Sequence, residues 1–221
     1  MKRVIAVVLT LLAFFTSVSS QEKYSTLYYQ KVSLFEKLKI DKNDIVFLGN
    51  SITDGCEWSE LFNDSNIKNR GISGDIVQGV YERLDPIIKG HPKKIFLLIG
   101  INDVSHDLQA DTIVRAIAKV VNKITADSPN TTLYVQSVFP VNEDFGKYLG
   151  ATKKGNLVIE INKGLEKMCT DKRLTYIDVY SRLICENDSK LNPAYTNDGL
   201  HLLGGGYLIW KSILEKYIYE K

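Results

Sequence analysis

Cysteine, proline, histidine and tryptophan are all scarce in this chain of 221 residues, which contains three, five, three and two of them. Three cysteines form at most one intramolecular bridge, so the sequence is not a small disulfide-stapled scaffold. We expect Cys56, Cys169 and Cys185 to be small apolar side chains in the interior, with a Cys169 to Cys185 bridge as the alternative. The low proline content excludes a collagen, and 44% apolar residues exclude a disordered tail.

An excess of charge of one sign is also missing. The chain has 28 Lys and Arg against 26 Asp and Glu, and Lys2 and Arg3 lie in a segment that we expect to be removed. The mature chain would then be neutral, which excludes the basic surface typical of nucleic-acid binding. No apolar run reaches the roughly 20 residues of a membrane-spanning helix.

The apolar run that does occur is short and N-terminal, which is typical of a secretory signal peptide. Val4 to Phe15 is apolar apart from Thr10, and small residues follow up to Ser20. We expect residues 1–20 to be cleaved, and the chain to be exported to the periplasm or the extracellular space. An uncleaved anchor is the alternative, but the run is too short for a stable one.

Short apolar runs alternate with longer segments of helical period over the rest of the chain. The predicted strands are Asp44–Gly49, Asn66–Arg70, Lys94–Gly100, Thr131–Val138 and Arg173–Val179. Further helices are expected over about Glu22–Leu38 and Gly205–Tyr219, at the two ends. The alternation predicts an α/β fold with a five-stranded parallel sheet, helices on both faces and one domain over residues 21–221.

Ligands of such sheets bind at the carboxyl ends of the strands, so the irregular segment from Pro140 to Gly150 is expected to border the site. Four polar segments also lie where the fold would bring them to this edge. They are Gly49–Gly55, Asn69–Asp75, Gly100–Asp103 and Asp198–His201.

Each segment carries a residue with a chemical and a structural interpretation. Ser51 is a nucleophile or a helix cap, although Thr53 stands where the Gly-x-Ser-x-Gly elbow needs glycine. Asp198 lies three residues before His201, close enough to hold the imidazole toward a serine. Asn102 is an oxyanion donor or the start of an Asx turn, and Gly74 offers a backbone N–H or merely forms a loop. We expect the other histidines, His91 and His106, to be exposed.

In this order the four segments resemble the sequence blocks of the SGNH or GDSL esterase superfamily, which center on a Ser, a Gly, an Asn and an Asp-x-x-His. The matching residues are Ser51, Gly74, Asn102, Asp198 and His201. The ending Asp-Gly-Leu-His-Leu-Leu-Gly-Gly-Gly-Tyr is similar to the branch of platelet-activating-factor acetylhydrolase subunits and secreted carbohydrate O-acetylesterases. The chain departs from the first block at Asn50, where the family usually has an Asp that holds the loop.

The resemblance implies a flavodoxin-like three-layer sandwich and a serine esterase without metal or cofactor. Ser51 would be the nucleophile, His201 the base and Asp198 its orienting partner. The amide of Asn102 and the N–H groups of Gly74 and Ser51 would form the oxyanion hole. The expected substrate is a short acyl ester, an acetyl group on a sugar, with Trp58 and the Phe139–Phe145 loop as candidate lining or as packing residues.

Three other functions remain open from the sequence. A lysophospholipase or thioesterase of the same fold would use the same residues on a longer acyl group. A metal-dependent phosphoesterase would take Asp54, Asp75, Asp103, Asp198 and His201 as ligands. A sugar-binding module would have lost the chemistry altogether.

Overall fold

The computed structural model describes residues 22–186 and 188–220, so the predicted signal peptide at residues 1–20 lies outside the described residues. Five parallel strands form one sheet in the order β2-β1-β3-β4-β5. They are β1 Ile45–Gly49, β2 Ile67–Gly71, β3 Lys94–Leu98, β4 Thr132–Gln136 and β5 Thr175–Ile177. The predicted α/β class and five-stranded parallel sheet are confirmed, with the strand order of a flavodoxin-like fold.

Helices fill the connections between the strands. They are α1 Thr26–Phe35, α2 Ser51–Asp54, α3 Trp58–Phe62, α4 Val77–Glu82, α5 Asp85–Ile88, α6 Ile101–Ser105, α7 Ala110–Asp127, α8 Leu149–Thr152, α9 Gly155–Lys172, α10 Tyr180–Leu183 and α11 Gly204–Tyr219. Parallel crossovers are right-handed, and the chain reverses direction across the sheet after β2, so the helices before and after β2 cover opposite faces. The helices α4, α7 and α9 pack together on one face.

An aromatic row covers the other face. Phe47, Phe96 and Tyr134 are paired neighbours on β1, β3 and β4. The ring of Phe47 stacks on Trp58 of α3 with centroids 3.9 Å apart, and Trp58 in turn meets Trp210 of α11 at 4.6 Å. These contacts place α3 and α11 on this face. Because both faces are covered, β1 and β3 are buried along their whole length.

The last strand and the first helix differ most in length from the prediction. The last strand has three residues rather than the seven from Arg173 to Val179, because Arg173 adopts φ 55° as the cap of α9. At its other end the N–H of Val179 donates to the hydroxyl of Ser137 rather than to a neighbouring strand. The first helix begins at Thr26 because the Ser25 hydroxyl accepts a hydrogen bond from the N–H of Tyr28.

The three cysteines are unpaired, so the Cys169 to Cys185 bridge is not formed. Cys56 and Cys169 are buried as expected, whereas Cys185 is only half-buried. Burial raises the pKa of the Cys169 thiol to about 11, so this side chain stays protonated at neutral pH. Within residues 22–186 and 188–220, the helices are too short or too polar to cross a membrane.

Candidate active site

Ser51 is the first residue of α2, directly after the carboxyl end of β1. The cap of this helix is Asn50, whose side-chain oxygen accepts from the N–H of Ile52 at 3.1 Å. The serine hydroxyl is therefore free for another partner, and the amide of Asn50 holds the turn. Gly49 is needed at the end of β1, since a Cβ there would lie 2.3 Å from the carbonyl oxygen of Leu98.

Asp198 and His201 are joined by a tight turn before α11. One carboxylate oxygen of Asp198 accepts from the N–H groups of Leu200 and His201 at 2.9 and 2.8 Å. Gly199 has φ +81°, and a Cβ at this position would lie 2.0 Å from the carbonyl oxygen of Asn142. This turn brings the second carboxylate oxygen to 2.8 Å from Nδ1 of the imidazole.

The imidazole reaches across 150 residues of sequence to the serine. Nε2 of His201 lies 3.0 Å from Oγ of Ser51. With the Nδ1 proton donated to Asp198, Nε2 is left to accept the hydroxyl proton, which is the geometry of a Ser-His-Asp triad. The structure thus brings together the three residues that the sequence singled out for nucleophilic chemistry.

The turn also sets the charge of Asp198. Although burial opposes it, hydrogen bonds from the backbone N–H and the ring of His201 and from the N–H of Leu200 hold the pKa of Asp198 below its usual range. The group is therefore an anion at neutral pH. A fixed anion beside Nδ1 stabilises the imidazolium that forms when Nε2 takes a proton.

Candidate hydrogen-bond donors lie on the segments that follow β1, β2 and β3. Gly74 is exposed with φ +80°, and its N–H and that of Ser51 donate to no other group among the described residues. The side-chain nitrogen of Asn102, in the first turn of α6, donates to the carbonyl oxygen of Asp75 at 2.8 Å. This bond uses one of two amide hydrogens, so the second remains to face an oxyanion.

Comparison with known proteins shows the family of this chain. The profile of the GDSL-like Lipase/Acylhydrolase family matches residues 47–209, a span that includes all of these side chains. The chain belongs to this family. Platelet-activating factor acetylhydrolase IB subunit alpha2 of Rattus norvegicus is 26% identical over 170 residues, 74% of this acylhydrolase and 71% of the relative.

Two solved structures share the fold. A protein of Streptococcus pneumonia named for platelet activating factor is 28% identical with a TM-score of 0.79, covering 87% of this chain and 93% of its own. A variant of an acetyl-xylooligosaccharide esterase from Geobacillus Stearmophilus is 17% identical with a TM-score of 0.63, covering 83% and 97%. At 17% identity, the second similarity shows only that the two proteins share a fold.

Arg83 is a residue of the site region that the sequence reasoning missed. It is 3% exposed, and its guanidinium donates to Asp75, to the carbonyl oxygen of Arg70 and to that of Gly49 at 2.8 to 3.0 Å. It therefore ties the ends of β1 and β2 to the loop that carries Gly74. The sequence did contain a signal for it, because Arg83 lies three positions after Val80, where the helical period favours an apolar side chain.

Asp54 also binds the loop that carries Gly74. Its carboxylate accepts from the hydroxyl of Ser73 at 2.9 Å and from Lys31 of α1 at 2.8 Å. Because Asp54 is in the helix that Ser51 begins, the serine and the loop of Gly74 are held at a fixed separation.

Other candidates from the sequence lie elsewhere. Trp58 and Phe139 are each 1% exposed within the core, so they pack the interior and do not line the site. His91 and His106 are exposed, as expected. Asp54, Asp75, Asp103 and Asp198 bond different partners, and no group of three His, Cys, Asp or Glu side chains in the described ranges is arranged to hold a metal ion.

The segment from Pro140 to Gly150 borders the site, as predicted. The N–H of Asn142 donates to the carbonyl oxygen of Gly199 at 2.8 Å. Gly199 lies between Asp198 and His201 in the turn that carries both side chains. Further along, the ring of Tyr148 packs against the imidazole, with centroids 5.1 Å apart.

Asp103 should make the stability of this acylhydrolase fall as the pH rises from about 4 to about 6. Burial raises its pKa to about 6, although its carboxylate accepts from the N–H of Val77. An unfolded Asp titrates near 3.9, so between these two pH values the folded state binds more protons than the unfolded state. The free energy of unfolding therefore falls by about 3 kcal/mol across this window as the pH rises.

Asp103→Asn keeps an acceptor for Val77 and removes the titration. In urea unfolding, its stability relative to the wild type should improve by about 3 kcal/mol between pH 4 and pH 7. A difference that stays constant with pH would show that Asp103 titrates normally.

Proposed function

We propose that this GDSL-like acylhydrolase is an exported serine esterase that removes acetyl and other short acyl groups from carbohydrates. The observation that carries the proposal is the chain of contacts from Ser51 through His201 to Asp198, at 3.0 and 2.8 Å. A hydroxyl whose proton can pass to an oriented neutral imidazole is an activated nucleophile.

In the first half of the reaction, Oγ of Ser51 attacks the ester carbonyl as its proton moves to Nε2 of His201. The tetrahedral intermediate then breaks its bond to the alcohol oxygen, which takes the proton from Nε2. The products are a free alcohol and an acyl-serine. In the second half a water molecule attacks the acyl-serine, His201 takes its proton and returns it to Ser51, and the carboxylic acid leaves.

The negative charge of the intermediate falls on the former carbonyl oxygen. The N–H groups of Ser51 and Gly74 and the second amide hydrogen of Asn102 are the donors for it. Such donors act mostly in the transition state, because charge develops only there. Arg83 and Asp54 keep these donors in place before the substrate arrives.

Asn102→Ala should lower kcat by roughly 10²-fold to 10³-fold with a modest change in KM. Steady-state kinetics with p-nitrophenyl acetate would measure both values. Asn130→Ala is a matched control, since Asn130 is exposed in the turn before β4, at the opposite end of the strands. An unchanged kcat in Asn102→Ala would show that this amide only holds the carbonyl of Asp75.

Two similarities support acetyl esters as the substrate. The relative from Rattus norvegicus is named an acetylhydrolase, and the Geobacillus neighbour an acetyl-xylooligosaccharide esterase. The predicted signal peptide at residues 1–20 supports export. Expression of the full chain should yield exported protein that begins at Gln21.

A second candidate is a lysophospholipase or thioesterase that takes a longer acyl chain. It is favoured by a groove of about 530 Å³ between α1 and the loop that carries Gly74. Tyr24, Leu27, Tyr28 and Ile76 supply apolar surface, and the lining also includes Lys23, Asp75 and His106. The groove begins beside a proposed oxyanion donor, so an acyl chain could extend into it.

A p-nitrophenyl ester series from acetate to octanoate separates these functions when it is measured with and without a chelator. The proposal predicts the highest kcat/KM for acetate, a decline with chain length and no effect of chelation. A maximum at octanoate would favour the second candidate. Activity lost on chelation would favour the phosphoesterase alternative, and no hydrolysis of any ester would favour the sugar-binding module.

A further inference from the structure

One exposed aromatic side chain stands against the imidazole. The rings of Tyr148 and His201 form a T-shaped pair, with centroids 5.1 Å apart and planes at 78°. Tyr148 is nevertheless 54% exposed, so more than half of its surface faces solvent beside the site. The ring therefore contacts the proposed general base and leaves the rest of its surface open to a ligand.

The backbone holds this ring in an unusual conformation. Tyr148 has φ +50°, in the left-handed region that bulky residues seldom adopt. Its carbonyl oxygen accepts from the N–H groups of Ala151 and Thr152 at 2.8 and 2.9 Å, and the hydroxyl of Thr152 donates to the carbonyl of Lys147. Strained residues that their surroundings hold in place occur often at ligand sites.

The segment that carries the ring is also tied to the turn that carries the imidazole. Besides the bond from Asn142 to Gly199, the side-chain amide of Asn142 donates to the carbonyl oxygen of Leu191 at 3.0 Å. From beyond Tyr148, Lys154 donates to the carbonyl oxygen of Val104 in α6. The segment that carries Tyr148 is therefore anchored on both sides of the ring.

The proposed reaction decides which part of the substrate comes close to this ring. The alcohol oxygen must reach Nε2 of His201 to receive its proton, so the alcohol lies on the imidazole side of the ester carbon. The acyl group leaves the carbon in another direction. The groove beside Gly74 is lined by α1, the loop after β2 and His106, and Tyr148, in the segment after β4, is not among its lining residues.

We propose that Tyr148 is the binding platform for the alcohol part of the ester, and that this alcohol is a sugar ring. An aromatic ring covers the C–H face of a pyranose while the hydroxyl groups stay hydrated, and the phenol adds a polar edge. This assignment rests on the proposed esterase function, because it uses the proton transfer from His201 to the leaving oxygen.

The test compares two acetate esters that differ only in the alcohol. Tyr148→Ala should lower kcat/KM for an acetylated xylo-oligosaccharide about tenfold, mostly through KM, and change kcat/KM for ethyl acetate less than twofold. Tyr148→Phe should retain the activity on the sugar ester. Tyr219→Ala is the matched control, since Tyr219 is 58% exposed at the far end of α11.

Equal losses on both esters would overturn the assignment, because they would mean that Tyr148 acts by positioning His201. No loss on either ester would overturn it as well. A wild type that hydrolyses neither ester nor any p-nitrophenyl ester would overturn the proposed function itself, which is a different result from a change in selectivity alone.

Discussion

Ser51→Ala should abolish esterase activity, with kcat reduced by about 10⁴-fold or more and the fold unchanged. The hydroxyl is needed as the nucleophile, whereas its loss removes one half-buried oxygen whose partner is Nε2 of His201. Alanine also suits the first position of α2, because the cap is supplied by Asn50. Kinetics with p-nitrophenyl acetate and thermal unfolding of the same preparation would measure the two effects.

The matched control is Ser59→Ala, a half-buried serine in the neighbouring helix α3. It should keep the wild-type rate. More than a few per cent of wild-type kcat in Ser51→Ala would rule out Ser51 as the nucleophile, and a large drop in the unfolding temperature would assign the loss to folding.

Asp198→Asn should lower kcat by about 10⁴-fold, although the turn around it can form unchanged. An Asn side-chain oxygen can still accept from the N–H groups of Leu200 and His201. Its NH₂ group would face Nδ1, so it favours the tautomer with the proton on Nε2. That nitrogen then donates to Ser51 and cannot take its proton.

The pH profile of kcat/KM from about pH 5 to 9 tests this explanation. In the wild type, Asp198 stays ionised across this range, because the hydrogen bonds from His201 and Leu200 outweigh burial and hold its pKa below the usual range, so it orients the imidazole at each pH. The variant should stay low throughout. Asp178→Asn is the control, an exposed Asp that accepts from the N–H of Ser181, and it should leave the profile in place. A variant with the wild-type profile and rate would show that Asp198 does not orient the base.

The sequence predicted the sheet and the four site segments because both depend on local pattern. Runs such as Ile45–Leu48 and Ile95–Ile99 are apolar throughout, as is typical of strands buried on both faces. Parallel strands bring the segments at their carboxyl ends to one edge, so Ser51, Gly74 and Asn102 were predicted to lie at this edge without any contact being known.

The remaining features depend on contacts between distant residues, which no local pattern contains. In the sequence, Arg83 does not differ from other charged residues. Its role depends on its three acceptors, which are Asp75 in the loop and the carbonyl oxygens of Gly49 and Arg70 on two strands. Tyr148 lies in a segment without periodicity, and its place beside His201 depends on the bond from Asn142 to Gly199. Trp58 was a candidate lining residue because aromatics suit both binding and packing, and only its burial shows that it packs.

The central claim is that His201 activates Ser51, and a fluorophosphonate probe tests it most directly. Such a probe forms a covalent bond to a serine oxygen only when a base removes the hydroxyl proton and an oxyanion hole receives the charge. Peptide mass spectrometry should find one adduct, on Ser51, which is absent in His201→Ala, together with the complete loss of esterase activity. An active enzyme that remains unlabelled, or that carries its only label on another residue, would contradict the account.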